Sequence, residues 1–155
     1  MKAKHHFWSS LAAGGALYWA TGSSAALGGA MLGGFAIDAD HVLDQWWSIR
    51  KGAEVASPES GGWPAQSLYA RYFRRRKLLR LPLLFHSYEL LAVLILLTSS
   101  LHTPFFIGLL SGYVLHLSLD AIRHHNEFAS PLFYSLSYRM ARGFRRDRLI
   151  KPEYL

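Results

Sequence analysis

Residues 81–122 read LPLLFHSYELLAVLILLTSSLHTPFFIGLLSGYVLHLSLDAI. No Lys or Arg occurs in this stretch, and its only ionisable side chains are His86, Glu89, His102, His116 and Asp120. The single interruption, Ser99-Ser100-Leu101-His102-Thr103-Pro104, predicts a tight turn. On either side lie two apolar helices, at about 84–99 and 104–122, close to the ~20 residues that a ~30 Å hydrocarbon core requires.

Working outward, a second tract from Phe7 to Ile37 carries no charge at all and is divided by Thr21-Gly22-Ser23-Ser24. Its halves predict two more helices at about 6–20 and 24–38, each short for a bilayer. Both are rich in glycine, at positions 14, 15, 28, 29, 33 and 34, and small residues let helix backbones approach closely inside lipid. The expected fold is all-α: an integral membrane four-helix bundle spanning residues 1–155 as one domain. A soluble Ala/Gly hairpin is the alternative for the first two helices.

The 17 basic residues fall into three blocks, two at 2–4, eight at 50–80 and seven at 123–151. Four alternating helices put all three blocks on one side and both uncharged turns on the other. The positive-inside rule makes the basic side cytoplasmic, so the expected placement is a multi-pass protein of the cell's inner (plasma) membrane with both termini inside. Tyr69, Tyr72, Phe73, Leu78 and Leu79 alternate with Arg71, Arg74, Arg75, Arg76 and Lys77 in the basic loop 48–80, and aromatic and Arg residues alternate again in the tail 130–155. Such patterns predict interfacial helices on anionic headgroups. With apolar helices on both sides, lipid is the expected partner and nucleic acid is not.

Composition narrows the chemistry. The chain is 51% hydrophobic and 17% charged, with a net charge of +7 and a mean hydropathy of +0.11, which excludes fibrous and disordered classes. It has no cysteine. Disulfide scaffolds, Cys-based zinc sites, iron–sulfur clusters and thiol nucleophiles are therefore excluded, and any metal must bind His and carboxylates.

Ionisable groups in apolar helices are costly and mark function. Asp38-Ala39-Asp40-His41 closes the second helix, His86 and Glu89 open the third, His116 and Asp120 close the fourth, and His5 and His6 open the first. Alternating helix direction brings all of these to the cytoplasmic face. His116 and Asp120 are four residues apart and His86 and Glu89 three, spacings that put each pair on one helical face. Mixed imidazole and carboxylate donors suit Zn²⁺ best, with Mn²⁺ or Fe²⁺ as alternatives, as one ion or two. An open coordination position would hold a water whose pKa falls towards ~7, with Glu89 or Asp40 as general base. Arg74, Arg75, Arg80 and Arg123 are the candidate contacts to a lipid headgroup or substrate phosphate.

The ordered motifs Asp38-Ala39-Asp40-His41, His86-Ser87 and Gly112-Tyr113-Val114-Leu115-His116-Leu117-Ser118-Leu119-Asp120 resemble those of the predicted inner-membrane metal-dependent hydrolases of prokaryotes. The likeness runs from about His6 to Asp120. It implies metal ligands among His6, Asp38, His41, His86, His116 and Asp120. Three departures stand out: Ala36-Ile37 replaces the family's Leu-Pro, Phe85 replaces the Thr before His86, and Arg123-His124-His125-Asn126-Glu127 follows Asp120 where the family has Thr-x-x-Gly. The expected function is metal-dependent hydrolysis of a phosphoester or lipid-like substrate at the cytoplasmic membrane face. The alternative is a non-enzymatic membrane anchor whose structural metal site supports recruitment of a cytoplasmic or anionic partner.

Overall fold

A computed structural model describes residues 3–41 and 80–154. The described residues form six α-helices, short 3₁₀ turns and no strand, only two isolated antiparallel bridges. Helix α1 covers Ala3–Thr21, α2 Ser24–Gly34, α3 Tyr88–Leu101 and α4 Pro104–His124, followed by α5 at Leu136–Ala141 and α6 at Arg146–Leu149.

The predicted turns form for identifiable reasons. Gly22 ends α1 at φ +67°, and its N–H donates to the Tyr18 carbonyl at 2.7 Å, the left-handed closure that glycine adopts without a Cβ penalty. His102 closes α3 with φ 48°. Thr103 then caps α4 by accepting from the Phe106 N–H, and Pro104 occupies the first turn, where no backbone donor is needed.

The third helix begins later than its apolar run predicts. Pro82 cannot donate, Leu83 takes φ 45°, and the Ser87 hydroxyl accepts from the Leu90 N–H as an N-cap, so α3 starts at Tyr88. His86 consequently lies in a loop, not on a helical face shared with Glu89. The second helix is also shorter than predicted: α2 ends at Gly34, and Ala36–Asp38 form a 3₁₀ turn. Of the four predicted spans, α4 is the one helix among the described residues long and apolar enough to cross a membrane, while the 14-residue α3 is apolar but shorter.

The main packing seam joins α2 to α4, with α1 against both and α3 against α4. Its closeness depends on absent side chains. A Cβ added at Gly33 would collide with the Leu109 carbonyl oxygen, one at Gly29 with that of Phe105, one at Gly108 with that of Ala26, and one at Gly112 with that of Ala30. Two backbones thus meet through reciprocal glycines, so this contact lies in the unyielding main chain.

The tail differs from the expected interfacial helix. It folds back as a strap in which Phe133, Tyr134, Leu149 and Ile150 join Leu83, Leu94, Tyr113 and Leu117 in the core. Phe128 stacks on Phe133 with centroids 3.8 Å apart. Phe133 and Tyr134 therefore face the protein, while Tyr154 stays exposed. The basic loop before residue 80, with Arg74 and Arg75, lies outside the described residues.

Gly33→Ala and Gly112→Ala each force backbone apart and should cost at least the ~1–3 kcal/mol of an overpacked core. Gly15→Ala and Gly28→Ala, where an added Cβ meets nothing within 4 Å, should be neutral or stabilise by up to ~1 kcal/mol. Thermal unfolding of the four purified variants checks this; equal melting temperatures would remove the seam's importance.

Candidate metal centre

The glycine seam places the end of α2 beside the last turns of α4, and the His/Asp groups assemble there. His116, one turn after Gly112, directs its Nδ1 to the Gly34 carbonyl oxygen at 2.7 Å. Gly34 closes α2, so its carbonyl lacks the helical partner that an interior residue would provide. A carbonyl accepts only; His116 therefore carries its proton on Nδ1 and a lone pair on Nε2.

His86 is fixed in the same way by different chemistry. Its Nδ1 lies 2.9 Å from Asp40 Oδ2, which also accepts from the Phe85 N–H at 3.1 Å. This is the carboxylate–imidazole pairing that orients metal-binding histidines. With Nδ1 donating, His86 Nε2 is the ring nitrogen turned towards His116. The loop carrying it is latched by Tyr113, whose hydroxyl accepts from the Ser87 N–H at 3.1 Å and lies 2.7 Å from the Phe85 carbonyl oxygen and 2.8 Å from that of Ser87.

The two Nε2 atoms face each other at 2.9 Å. In neutral rings two lone pairs would meet at that distance, a conflict that either a shared proton or a metal cation between the nitrogens removes. Carboxylates complete the shell. Asp120 Oδ2 lies 3.3 Å from His116 Nε2 and 3.6 Å from His86 Nε2, and Asp38 Oδ1 lies 3.6 and 3.7 Å from the same two nitrogens. Tetrahedral ligands bound at about 2.0–2.1 Å stand about 3.3 Å from one another. The observed spacings of 2.9–3.7 Å bracket that value, so the donor set fits a divalent metal ion. Three overlapping groups meet the spacing of a metal site: His6, His116 and Asp120; Asp38, His86 and His116; Asp40, His41 and His86.

His6 completes one wall. Its ring stacks on that of His116 with centroids 3.9 Å apart, and its Nε2 lies 3.2 Å from Asp120 Oδ1. His6 is buried and His5 is exposed, which selects between the two neighbours. His41 Nε2 lies 3.7 Å from Asp38 Oδ1, and burial pushes its imidazole below its ordinary pKa, towards the neutral form that ligates. The Asp38 and His41 side chains keep 23% and 34% of their surface exposed, so this edge of an otherwise buried cluster is open.

Among the described residues, His6 Nδ1 and Asp40 Oδ1 are buried without a hydrogen-bond partner. Unmet polar groups of this kind are costly in a core and are consistent with a site built for a ligand.

Glu89 is a correction. Its Oε1 accepts from Ser135 Oγ and the Ser137 N–H, both at 2.9 Å, and its Oε2 from the Leu136 N–H at 2.7 Å. The carboxylate caps α5 instead of serving the cluster as a base, because the Ser87 cap sets it on a different face from His86. His124 also turns away, with Nδ1 2.8 Å from Glu127 Oε1. Arg80 and Arg123 are exposed.

Sequence reasoning missed Arg139. It is fully buried, and its Nη2 donates to the carbonyl oxygens of Leu83 at 3.0 Å and His86 at 2.9 Å. Within a basic tail nothing distinguishes one arginine from its neighbours; only its position three residues after Leu136 hints at a shared face. Compared with protein-family models, curated proteins and solved structures, the chain matches none.

Metal-stripped protein should take up Zn²⁺ or Co²⁺ with a rise in melting temperature, and His116→Ala should abolish that rise. Asp40→Asn, which keeps the shape but weakens the hold on His86 Nδ1, should lower metal affinity by about 10–100-fold. Isothermal titration with each ion measures both, and undiminished binding by His116→Ala would refute the assignment.

Proposed function

We propose that this chain is a membrane-embedded, metal-dependent hydrolase acting on a phosphoester or lipid-like substrate at the cytoplasmic face of the inner membrane. The observation carrying the reading is the meeting of two imidazole Nε2 atoms, ringed by carboxylate oxygens and partly exposed at Asp38 and His41, at one end of an apolar helix long enough to cross a bilayer.

Wide apolar exposure supports the membrane setting. Trp19 is 89% exposed, Ile122 71% and Leu96 67%, and apolar patches of this kind mark contact surfaces or lipid. We assign four membrane-inserted helices, α1 to α4, with both termini inside and residues 22 and 102 outside. The ordered motifs support kinship with the predicted inner-membrane metal-dependent hydrolases, and the His/carboxylate donors favour zinc over manganese or iron.

His86, His116, Asp120 and Asp38 would hold the metal, with His6 and His41 at the flanks. When bound, the ion supplies Lewis-acid polarisation and an acidified water. Asp40 steadies His86 through Oδ2, and its Oδ1, without a hydrogen-bond partner among the described residues, is the group we assign to take a proton from water. Hydrolysis would form a phosphorus–oxygen bond to water and break the bond to the leaving alcohol, which would take up the proton. Arg80 and Arg123 would hold the phosphate, with Arg74 and Arg75 as further contacts.

The buried remainder of the cluster favours a second reading, a membrane anchor whose metal is structural and whose basic surface recruits an anionic or cytoplasmic partner. Phosphate release from detergent-dispersed phospholipids and isoprenoid phosphates separates the two. The enzyme reading expects turnover that falls at least about 100-fold in His116→Ala; metal-dependent stability with no turnover on any substrate favours the anchor.

The cysteine-free chain suits a topology test. Single substitutions Ser23→Cys and His102→Cys should react with an impermeant maleimide applied outside intact cells, whereas Arg123→Cys should react only after permeabilisation. Reversal of that pattern would overturn the orientation.

A further inference from the structure

We infer that residues 135–145 of the C-terminal strap position His86 for metal binding, with Arg139 as the principal positioning residue. This inference rests on the metal-centre reading above.

The clasp runs in both directions between residues 80–89 and 135–145. From the strap, Arg139 Nη2 donates to two carbonyl oxygens of the ligand loop, that of Leu83 and that of His86 itself. From the loop side, Glu89 returns a carboxylate that collects the Ser135 hydroxyl and the Leu136 and Ser137 N–H groups. These are the donors that a helix start leaves without intrahelical partners. Glu89 thereby caps α5, and α5 carries Arg139. At the far end the Leu81 N–H donates to the Phe144 carbonyl at 2.8 Å, beside the bridge between Arg80 and Arg145.

Inside this frame the loop is irregular. Pro82 offers no donor, and Leu83 adopts the left-handed backbone region, which an L-residue keeps only when its surroundings hold it. Tyr113 secures residues 85 and 87 from α4. Arg139 secures 83 and 86 from the strap. His86 therefore receives its ring orientation from Asp40 and its backbone position from Tyr113 and Arg139, constraints from separate parts of the chain. One amino group of the guanidinium, Nη2, gives its two hydrogens to the two carbonyls, while the long side chain carries it into the core.

The test uses the full-length, detergent-purified and metal-stripped protein, with Co²⁺ as probe. Arg139→Met should weaken Co²⁺ binding about 10–100-fold and alter the visible spectrum of the bound ion, and Arg139→Lys should recover part of the loss. Leu149→Ala, a strap core change that leaves the Leu83 and His86 carbonyls alone, should keep affinity within about twofold at comparable destabilisation. Parent-like affinity and spectrum in Arg139→Met would overturn the inference.

If Arg139→Met fails to fold, Glu89→Gln reads the clasp from its other side: weaker Co²⁺ binding is expected, and an unchanged value counts against it. Amide exchange over residues 83–87 in metal-free protein gives a separate measure, expected to quicken in either variant. Should the parent bind no Co²⁺, the metal reading fails, yet exchange still judges the clasp, and unaltered rates would end it.

Discussion

Two imidazole Nε2 atoms, on rings whose Nδ1 atoms are both engaged by acceptors, are held 2.9 Å apart in a buried space. That constraint organises the chain. Neither nitrogen can turn away: Asp40 and the Phe85 N–H fix one ring, and the Gly34 carbonyl fixes the other. A shared proton or a metal ion between them satisfies both, and Asp38 and Asp120 add negative charge beside the pair. The helices, the loop and the strap can all be understood by how they impose this encounter.

The glycine seam imposes it first. His116 reaches the Gly34 carbonyl because α2 and α4 touch through their backbones, and they touch because Gly33, Gly108 and Gly112 present no Cβ. Packing and chemistry are linked by sequence spacing, since Gly112 precedes His116 by one turn, and Gly34 both ends α2 and accepts the histidine's proton. The loop imposes it second. Residues 80–87 have little regular structure, so their shape is borrowed from Tyr113 on one side and Arg139 on the other. A ligand on a helix is placed by the helix; a ligand on a loop needs such outside support.

Much of this was legible in the residues alone. Helix positions followed from charge-free tracts and from Gly22, Thr103 and Pro104, because turns and caps depend on local chemistry. The convergence of His6, Asp38, His41, His86, His116 and Asp120 followed from the alternating direction of consecutive helices, a consequence of short connections. Glu89 was misjudged for a specific reason: spacing of three residues implies a shared face only if both residues are helical, and the Ser87 cap separates them. The strap was misjudged because alternating aromatic and Arg residues fit a membrane surface and a folded-back tail equally well.

The sequence by itself determined where the chain bends, which stretches are apolar, and which donor atoms are available, since these depend on residues close in the chain. Only the tertiary structure decided which of His5 and His6 turns inward, that Asp40 orients a ring, that Glu89 serves a distant helix, and that one arginine among many is buried. Each of those outcomes depends on a partner lying tens of residues away, as Asp40 does from His86 and Glu89 from Leu136. Contacts of that range are set by packing, and no local pattern encodes them.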